Sequence, residues 1–182
     1  MQKAIRESVY MEQYLCDTHT LQLAVRATFE AVPGMKRLLT KTKDLAKMSH
    51  QSTSVANQQL INQCKQMGIK FLKLKNPCET RWNSQEMNMS SVLHLKPALQ
   101  VLFAEEDGNI WAQFALSASE WKLLSGACTI LKPFKLTTKA WEAERTPTLN
   151  LVIERLYTLN EGLSAFISSP SNCRYSLFIW KC

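Results

Sequence analysis

Apolar residues recur every three or four positions along most of the chain, the spacing that places them on one face of an α-helix. In the first third of the chain this pattern predicts helices over residues 15–32, 35–49 and 52–67. A Pro-Gly pair follows the first of these helices, and Gly68 stands where a left-handed residue would close the third. We therefore expect this part of the chain to be helical.

Capping residues indicate where helices begin in the second half. Asn83 followed by Glu86 predicts a helix from about residue 84, with the asparagine side chain as its cap. Ser117 with Glu120 has the form of a second capping box. Pro97 is expected to bend the helix that contains it, because a proline inside a helix removes one backbone hydrogen bond.

One short segment has a different pattern. Residues 69–75 nearly alternate apolar and basic side chains from Phe71 onward, and an Asn-Pro pair ends the run. This is the best strand candidate in the chain. With only 5 Gly and 6 Pro, the sequence has little of the turn chemistry that many strands would need. The predicted fold is mainly α, a helical bundle with one or two short strands.

Composition and charge indicate where along the chain a binding surface would lie. At 182 residues, with 46% hydrophobic and 20% charged residues, the chain is expected to fold as one globular domain. Residues 36–81 contain ten Lys or Arg and two acids, whereas the remainder has 12 basic and 13 acidic residues. The net charge of +7 is therefore confined to one segment. Such clustering is typical of a polyanion-binding face, although a solvated face is an equally open interpretation.

Several classes of function find no support in the sequence. No nucleophile-elbow, phosphate-loop or dinucleotide-binding motif occurs, so we predict no small-molecule substrate and no cofactor. Cys16 and His19 could place two ligands near one metal, but a structural zinc site usually needs four, so no metal site is predicted. No apolar run reaches the roughly 20 residues that cross a bilayer, and the N-terminus lacks a secretory signal. We expect an intracellular protein with free thiols and no membrane partner.

Two motifs carry a family resemblance. The sequence LCDTHTLQLAV at 15–25 resembles the C-x-x-H segment of hAT-family transposases and of the BED-type zinc-finger proteins derived from them. ETRWNS at 79–84 matches the T-R-W-N-S signature of the same family. With their order and spacing, the resemblance covers about residues 15–160, and it assigns Cys16, His19 and Asn83 to structural motifs.

The resemblance implies a ribonuclease-H-like catalytic core interrupted by a helical insertion. Residues 1–82 would be a partial core segment and residues 83–182 part of the insertion. Family members use three carboxylates to hold divalent metals, two Asp upstream of the C-x-x-H segment and one Glu beyond the insertion. Neither end of that trio is matched here, so we expect a catalytically inactive protein, not an enzyme. The resemblance also implies a nuclear location and DNA, or other transposase-derived chains, as partners.

Candidate DNA contacts follow from the motif and from the charge. The resemblance suggests that Trp82 stacks on an unpaired base and that Arg81 pairs with a phosphate, while the alternative is that Trp82 simply fills the core. Lys70, Lys73 and Lys75 could track a phosphate backbone, and the alternative is that they form a solvated strand face. We expect a truncated transposase-derived protein whose function is residual DNA binding through residues 36–82. The alternative is a protein that binds no nucleic acid, either a helical protein-interaction module or a fragment without function. The predicted nucleic-acid-binding residues are Arg81, Trp82, Lys70, Lys73, Lys75, Lys36, Arg37 and Lys41.

Overall fold

The chain is mainly helical, as predicted. The computed structural model describes residues 17–50, 55–78, 81–104, 110–143 and 149–168. Within these ranges no helix is long and apolar enough to span a membrane. The α-helices that the described residues form are α1 (Asp17–Ala31), α2 (Met35–His50), α3 (Val55–Gln66), α4 (Trp82–His94), α5 (Lys96–Ala104), α6 (Ala118–Ala143) and α7 (Leu149–Ser168).

The ends of α1, α2 and α3 lie within a few residues of the predicted bounds. Gly68 has φ of +66° and follows α3 as predicted. The amide of Gly68 donates to the Lys65 carbonyl at 3.2 Å, and the amide of Ile69 donates to the Cys64 carbonyl at 2.9 Å. These two bonds form the Schellman motif, which satisfies carbonyls that the helix end would otherwise leave without partners.

The predicted strand at residues 69–75 is wrong. No strand occurs among the described residues, and residues 69–78, which we call the lysine segment, have no regular secondary structure. A strand needs a neighbouring strand to pair its backbone groups, and the sequence pattern could not show that none is present. Helices surround this segment instead. The mainly helical part of the fold prediction is confirmed, whereas its strand is not.

The predicted cap at Asn83 is also wrong. Helix α4 begins at Trp82, so the cap position falls on Arg81, which makes no side-chain capping bond. Asn83 lies in the first turn, where its Oδ1 is buried and has no hydrogen-bond partner. Glu86 does not reach back to the helix start, because its carboxylate accepts a hydrogen bond from Lys135 on α6. Tertiary packing has overridden the local capping signal.

Pro97 ends one helix and begins another. Helix α4 ends at His94 and α5 begins at Lys96, with Leu95 between them donating its amide to the Ser91 carbonyl at 3.1 Å. Pro97 therefore stands in the first turn of α5, where a missing amide costs no intrahelical bond. The structure thus has two helices here, where the sequence predicted one bent helix. Four apolar residues at helical spacing along α4 and α5 are buried: Val92, Leu95, Leu99 and Leu102.

The capping box before α6 is confirmed. The Ser117 hydroxyl accepts the amide of Glu120 at 3.2 Å, and the Glu120 carboxylate accepts the amide of Ser117 at 2.8 Å. Helix α6 then continues past Pro133 to Ala143 and packs against α1, α4 and α7. It places Trp121 in the core. This long helix thus connects the first and last parts of the chain.

One hydrophobic core joins α1 to α6, and a second, small cluster packs Leu159 of α7 against Leu21 of α1. Helix α2 contributes a buried stripe to the main core and packs against α1, α3 and α4. The same core includes residues from both sides of the predicted boundary between residues 82 and 83, and that division stays a prediction. The largest side chains that are nearly inaccessible to solvent are Trp82, Trp111, Met35, Leu38, Leu45, Leu60, Leu74, Met89, Leu95, Leu99, Leu102 and Leu124.

Candidate nucleic-acid interface

Histidines from two helices hold the backbone of the lysine segment. The Nε2 atom of His50, at the end of α2, lies within hydrogen-bond distance of the Leu74 carbonyl. The Nε2 atom of His94, at the end of α4, lies 2.9 Å from the Lys70 carbonyl. Since a carbonyl only accepts, each imidazole donates at Nε2. Two carbonyls that a sheet would have paired are satisfied by side chains.

Helix α4 binds the next part of the segment. Asn88 Nδ2 donates to the Lys75 carbonyl at 2.7 Å and to the Thr42 carbonyl on α2 at 3.2 Å. The amide of Lys75 donates to Ser91 Oγ at 3.4 Å. The side chain of Leu74, beside it, is fully buried. Lys75 thus has both backbone groups satisfied, and the segment is fixed between α2 and α4.

The fixed backbone presents three lysines to solvent. Lys70, Lys73 and Lys75 are all exposed. Lys73 and Lys75 also line a small cleft of about 280 Å³, which we call the lysine cleft and which Lys135 of α6 lines as well. The structure therefore brings two of the predicted strand lysines together at one cleft, although they do not lie on a strand.

Lys135 is not among the residues predicted from the sequence, and an ion pair within the protein already compensates part of its charge. Its ammonium group donates to Glu86, a carboxylate that is only 4% exposed. Glu86 also accepts the Ser90 hydroxyl at 2.7 Å. Glu86 and Lys135 are separated by 49 positions, so no local pattern could have revealed the pair.

Arg81 and Trp82 are adjacent in sequence but have opposite environments. Arg81 is exposed at the start of α4, where its guanidinium group can reach a phosphate. Trp82 is 1% exposed and belongs to the hydrophobic core. An indole ring without an accessible face cannot stack on a base unless the core opens. Burial therefore supports the core role that the sequence had left open for Trp82.

The three predicted residues of α2 also differ. Lys36 is exposed. The Lys41 ammonium group donates to Glu120 at 2.9 Å and to the Ala115 carbonyl at 3.1 Å, so it is occupied within the protein. Arg37 keeps 76% of its side chain exposed, although its Nε lies 3.7 Å from the same carboxylate. Lys36 and Arg37 remain accessible to a polyanion, whereas Lys41 forms contacts that stabilise the fold.

The cysteines and histidines have no metal-like arrangement in the part of the chain that the structure describes. Cys16 lies outside the described residues, and His19 lies in α1. No group of three or more His, Cys, Asp or Glu that could hold a metal ion occurs among the described residues. Among the described residues, Cys64, Cys78 and Cys128 form no disulfide. Burial raises the pKa of Cys128 to about 11, so this thiol stays neutral at physiological pH.

The Glu120 contacts predict a dependence of stability on pH. Burial alone would raise the pKa of this carboxyl, but hydrogen bonds from Ser117 and Lys41, with the Lys41 charge, lower it below its ordinary value. A lowered folded-state pKa contributes stability above the unfolded-state value of about 4.3, and this contribution is lost as the pH falls. Glu120→Gln should therefore destabilise the protein at neutral pH and have less effect below about pH 4. Urea unfolding over a pH series measures this. A constant difference between the two proteins would contradict it.

Comparisons with known proteins gave no match, whether with family models, with curated proteins or with solved structures. The hAT-family resemblance therefore rests on the two sequence motifs alone. The geometry of the lysine segment is independent of that resemblance.

Proposed function

We propose that this chain is a transposase-derived protein of the hAT family that binds DNA through residues 36–82 and has no catalytic activity. The observation that supports DNA binding is the lysine segment, which holds three exposed lysines on a backbone fixed by side chains of α2 and α4. The family origin, a partial ribonuclease-H-like core in residues 1–82 and a nuclear location are parts of the same proposal. They follow from the sequence motifs.

Electrostatics gives this surface its expected properties. Lys70, Lys73 and Lys75 carry charges that can replace counterions along a phosphate backbone. Arg81, at the start of α4, adds a forked donor suited to phosphate. Because the backbone is already fixed, little conformational entropy is lost when the segment binds. Affinity should thus be salt-dependent and largely independent of base sequence, since phosphates carry no sequence information.

Binding of a fluorescent duplex and of a single strand at several salt concentrations tests the proposal. Log affinity should fall linearly with log salt concentration, and Lys70→Ala/Lys73→Ala should weaken binding and reduce the slope by about 2. Lys122→Ala/Lys139→Ala is the matched control, because it removes two exposed lysines of α6 that line neither the lysine cleft nor the segment. The proposal would be wrong if DNA affinity did not depend on salt concentration, or if both double variants lost the same amount of affinity.

Absence of catalysis has its own test. Incubation with Mg²⁺ or Mn²⁺ and a nicked or hairpin duplex should give no cleavage, because a two-metal centre needs several carboxylates gathered around the ions. The products can be resolved on a denaturing gel. A metal-dependent product that disappears in Asp17→Ala and Arg81→Ala variants would show that the chain is an enzyme.

A helical protein-interaction module is the second candidate function. The observation that favours it is a set of large apolar side chains exposed on the packed pair α6 and α7: Leu136 is 62% exposed, Leu156 46% and Tyr157 63%. Large exposed apolar side chains are typical of association sites when they gather on one face. Under this alternative, light scattering would show self-association that Leu136→Ser and Tyr157→Ser abolish, and the chain would bind no DNA.

A further inference from the structure

A second basic surface lies apart from the three exposed lysines of the lysine segment. A cleft of about 590 Å³ opens between α1, α2 and the start of α4, and we call it the α1–α2–α4 cleft. Its volume falls within the roughly 300–1,000 Å³ of small-molecule sites. Only Lys36 among the residues predicted to bind nucleic acid lines it.

Cations from two helices surround this cleft. Arg26 of α1 lines it together with three lysines of α2, namely Lys36, Lys43 and Lys47. Two acids also line it, Glu30 and Asp44. The four cations and two acids leave an excess of two positive charges. A phosphate monoester carries about −1.5 to −2 at neutral pH, so the charge of the cleft matches that of one such group.

The rest of the lining is mixed, because Thr40, Thr42, Gln85 and Asn88 are polar and the other uncharged residues are apolar. Phe29, Leu39 and Pro77 form the apolar part of the wall. Asn88 is 1% exposed, and its amide nitrogen is held by the carbonyls of Thr42 and Lys75. Its Oδ1 atom is buried and accepts no hydrogen bond from the described residues. A bare phosphate would use the cations but not the apolar wall.

We propose that the α1–α2–α4 cleft binds one nucleotide, with its phosphate among Arg26 and the α2 lysines and its base or sugar against Leu39 and Pro77. A nucleotide combines the required anion, a flat apolar ring and hydrogen-bond donors. The ligand is either a free nucleoside phosphate or an unpaired nucleotide of a nucleic-acid strand. This site does not depend on the exposed lysines that carry the proposed DNA binding.

Calorimetric titration of the full chain tests the proposal with four probes: deoxyadenosine monophosphate, inorganic phosphate, deoxyadenosine and a deoxyadenylate pentamer. The monophosphate or the pentamer should bind more tightly than phosphate or the nucleoside. Only these two probes carry both a phosphate for the cations and a base for the apolar side chains. Arg26→Gln/Lys36→Gln should weaken that binding roughly ten-fold or more, the effect expected for losing charged hydrogen bonds. Both side chains are exposed, so folding should be preserved. The matched control, Lys122→Gln/Lys139→Gln, should bind as the wild type does.

The outcomes separate the two ligand sources and the two proposals. Binding of the monophosphate alone indicates a free nucleotide, and binding of the pentamer alone indicates a nucleotide within a strand. Lys73→Glu should leave monophosphate binding unchanged even where duplex binding is lost. If neither nucleotide probe binds at about 1 mM, if phosphate binds as well as they do, or if the Arg26 and Lys36 double variant binds normally, the nucleotide site is wrong.

Discussion

Replacing Trp82 with alanine is expected to lower the free energy of unfolding by about 3–5 kcal/mol. The indole ring is 1% exposed and packs within the main hydrophobic core, so its removal leaves a large cavity next to the first turn of α4. Urea unfolding followed by circular dichroism measures the loss. Arg81→Ala is the neighbouring control, and as an exposed residue it should change stability by about 0.5 kcal/mol or less.

Trp82→Phe distinguishes the core role from the base-stacking role. Phenylalanine keeps an aromatic ring in the core, so most of the stability should return. If the indole acts only inside the protein, DNA affinity measured under folded conditions should stay at the wild-type level. A folded Trp82→Phe variant that loses DNA binding would contradict the burial argument and restore the stacking role that the family resemblance suggests.

Asn88→Ala should cost about 2–3 kcal/mol, because it deletes two hydrogen bonds and leaves the Lys75 carbonyl without its partner from α4. The buried amide is the link between α2, α4 and the lysine segment. Hydrogen exchange at the amides of residues 69–78 should become faster, since the segment loses its anchor. DNA affinity should also fall although no charge has changed, because the lysines are no longer held in place.

Asn76→Ala is the matched control for this experiment. Asn76 lies in the same segment and is exposed, so its replacement should have little effect on stability, on exchange or on DNA affinity. If Asn88→Ala lowered stability but left both exchange and DNA affinity unchanged, the fixed backbone would not matter for binding. The supporting observation for the proposed function would then be lost.

Much of the helical framework could be predicted from local patterns. The closure of α3 at Gly68 and the capping box of Ser117 with Glu120 both depend on groups no more than five residues apart. The same holds for the apolar stripes of α2 and of α4 with α5, because neighbours on a helix face are three or four residues apart. The exposure of Lys70, Lys73 and Lys75 was predicted by charge and pattern together, although on the wrong element.

The candidate sites were less predictable. Lys41 looked like its neighbours on the basic face of α2, but Glu120, 79 positions away, binds it. The sequence did not predict Arg26 as a site residue, because only the packing of α1 on α2 places it at the same cleft as Lys36. Asn88 and Ser91 are separated by one helical turn on α4, which hints at a shared polar face. Their partner, Lys75, could be known only from the fold.

The amino-acid sequence by itself determined that this chain forms helices, where most of them begin and end, and that its positive charge is concentrated between residues 36 and 81. Tertiary structure alone decided that residues 69–78 lack a strand partner, that Trp82 is buried and that Arg26 lines the same cleft as lysines of α2. The physical reason is the distance along the sequence over which each interaction acts. A helix satisfies its backbone within a few residues, whereas strand pairing, burial and ion pairs depend on groups that are distant in sequence.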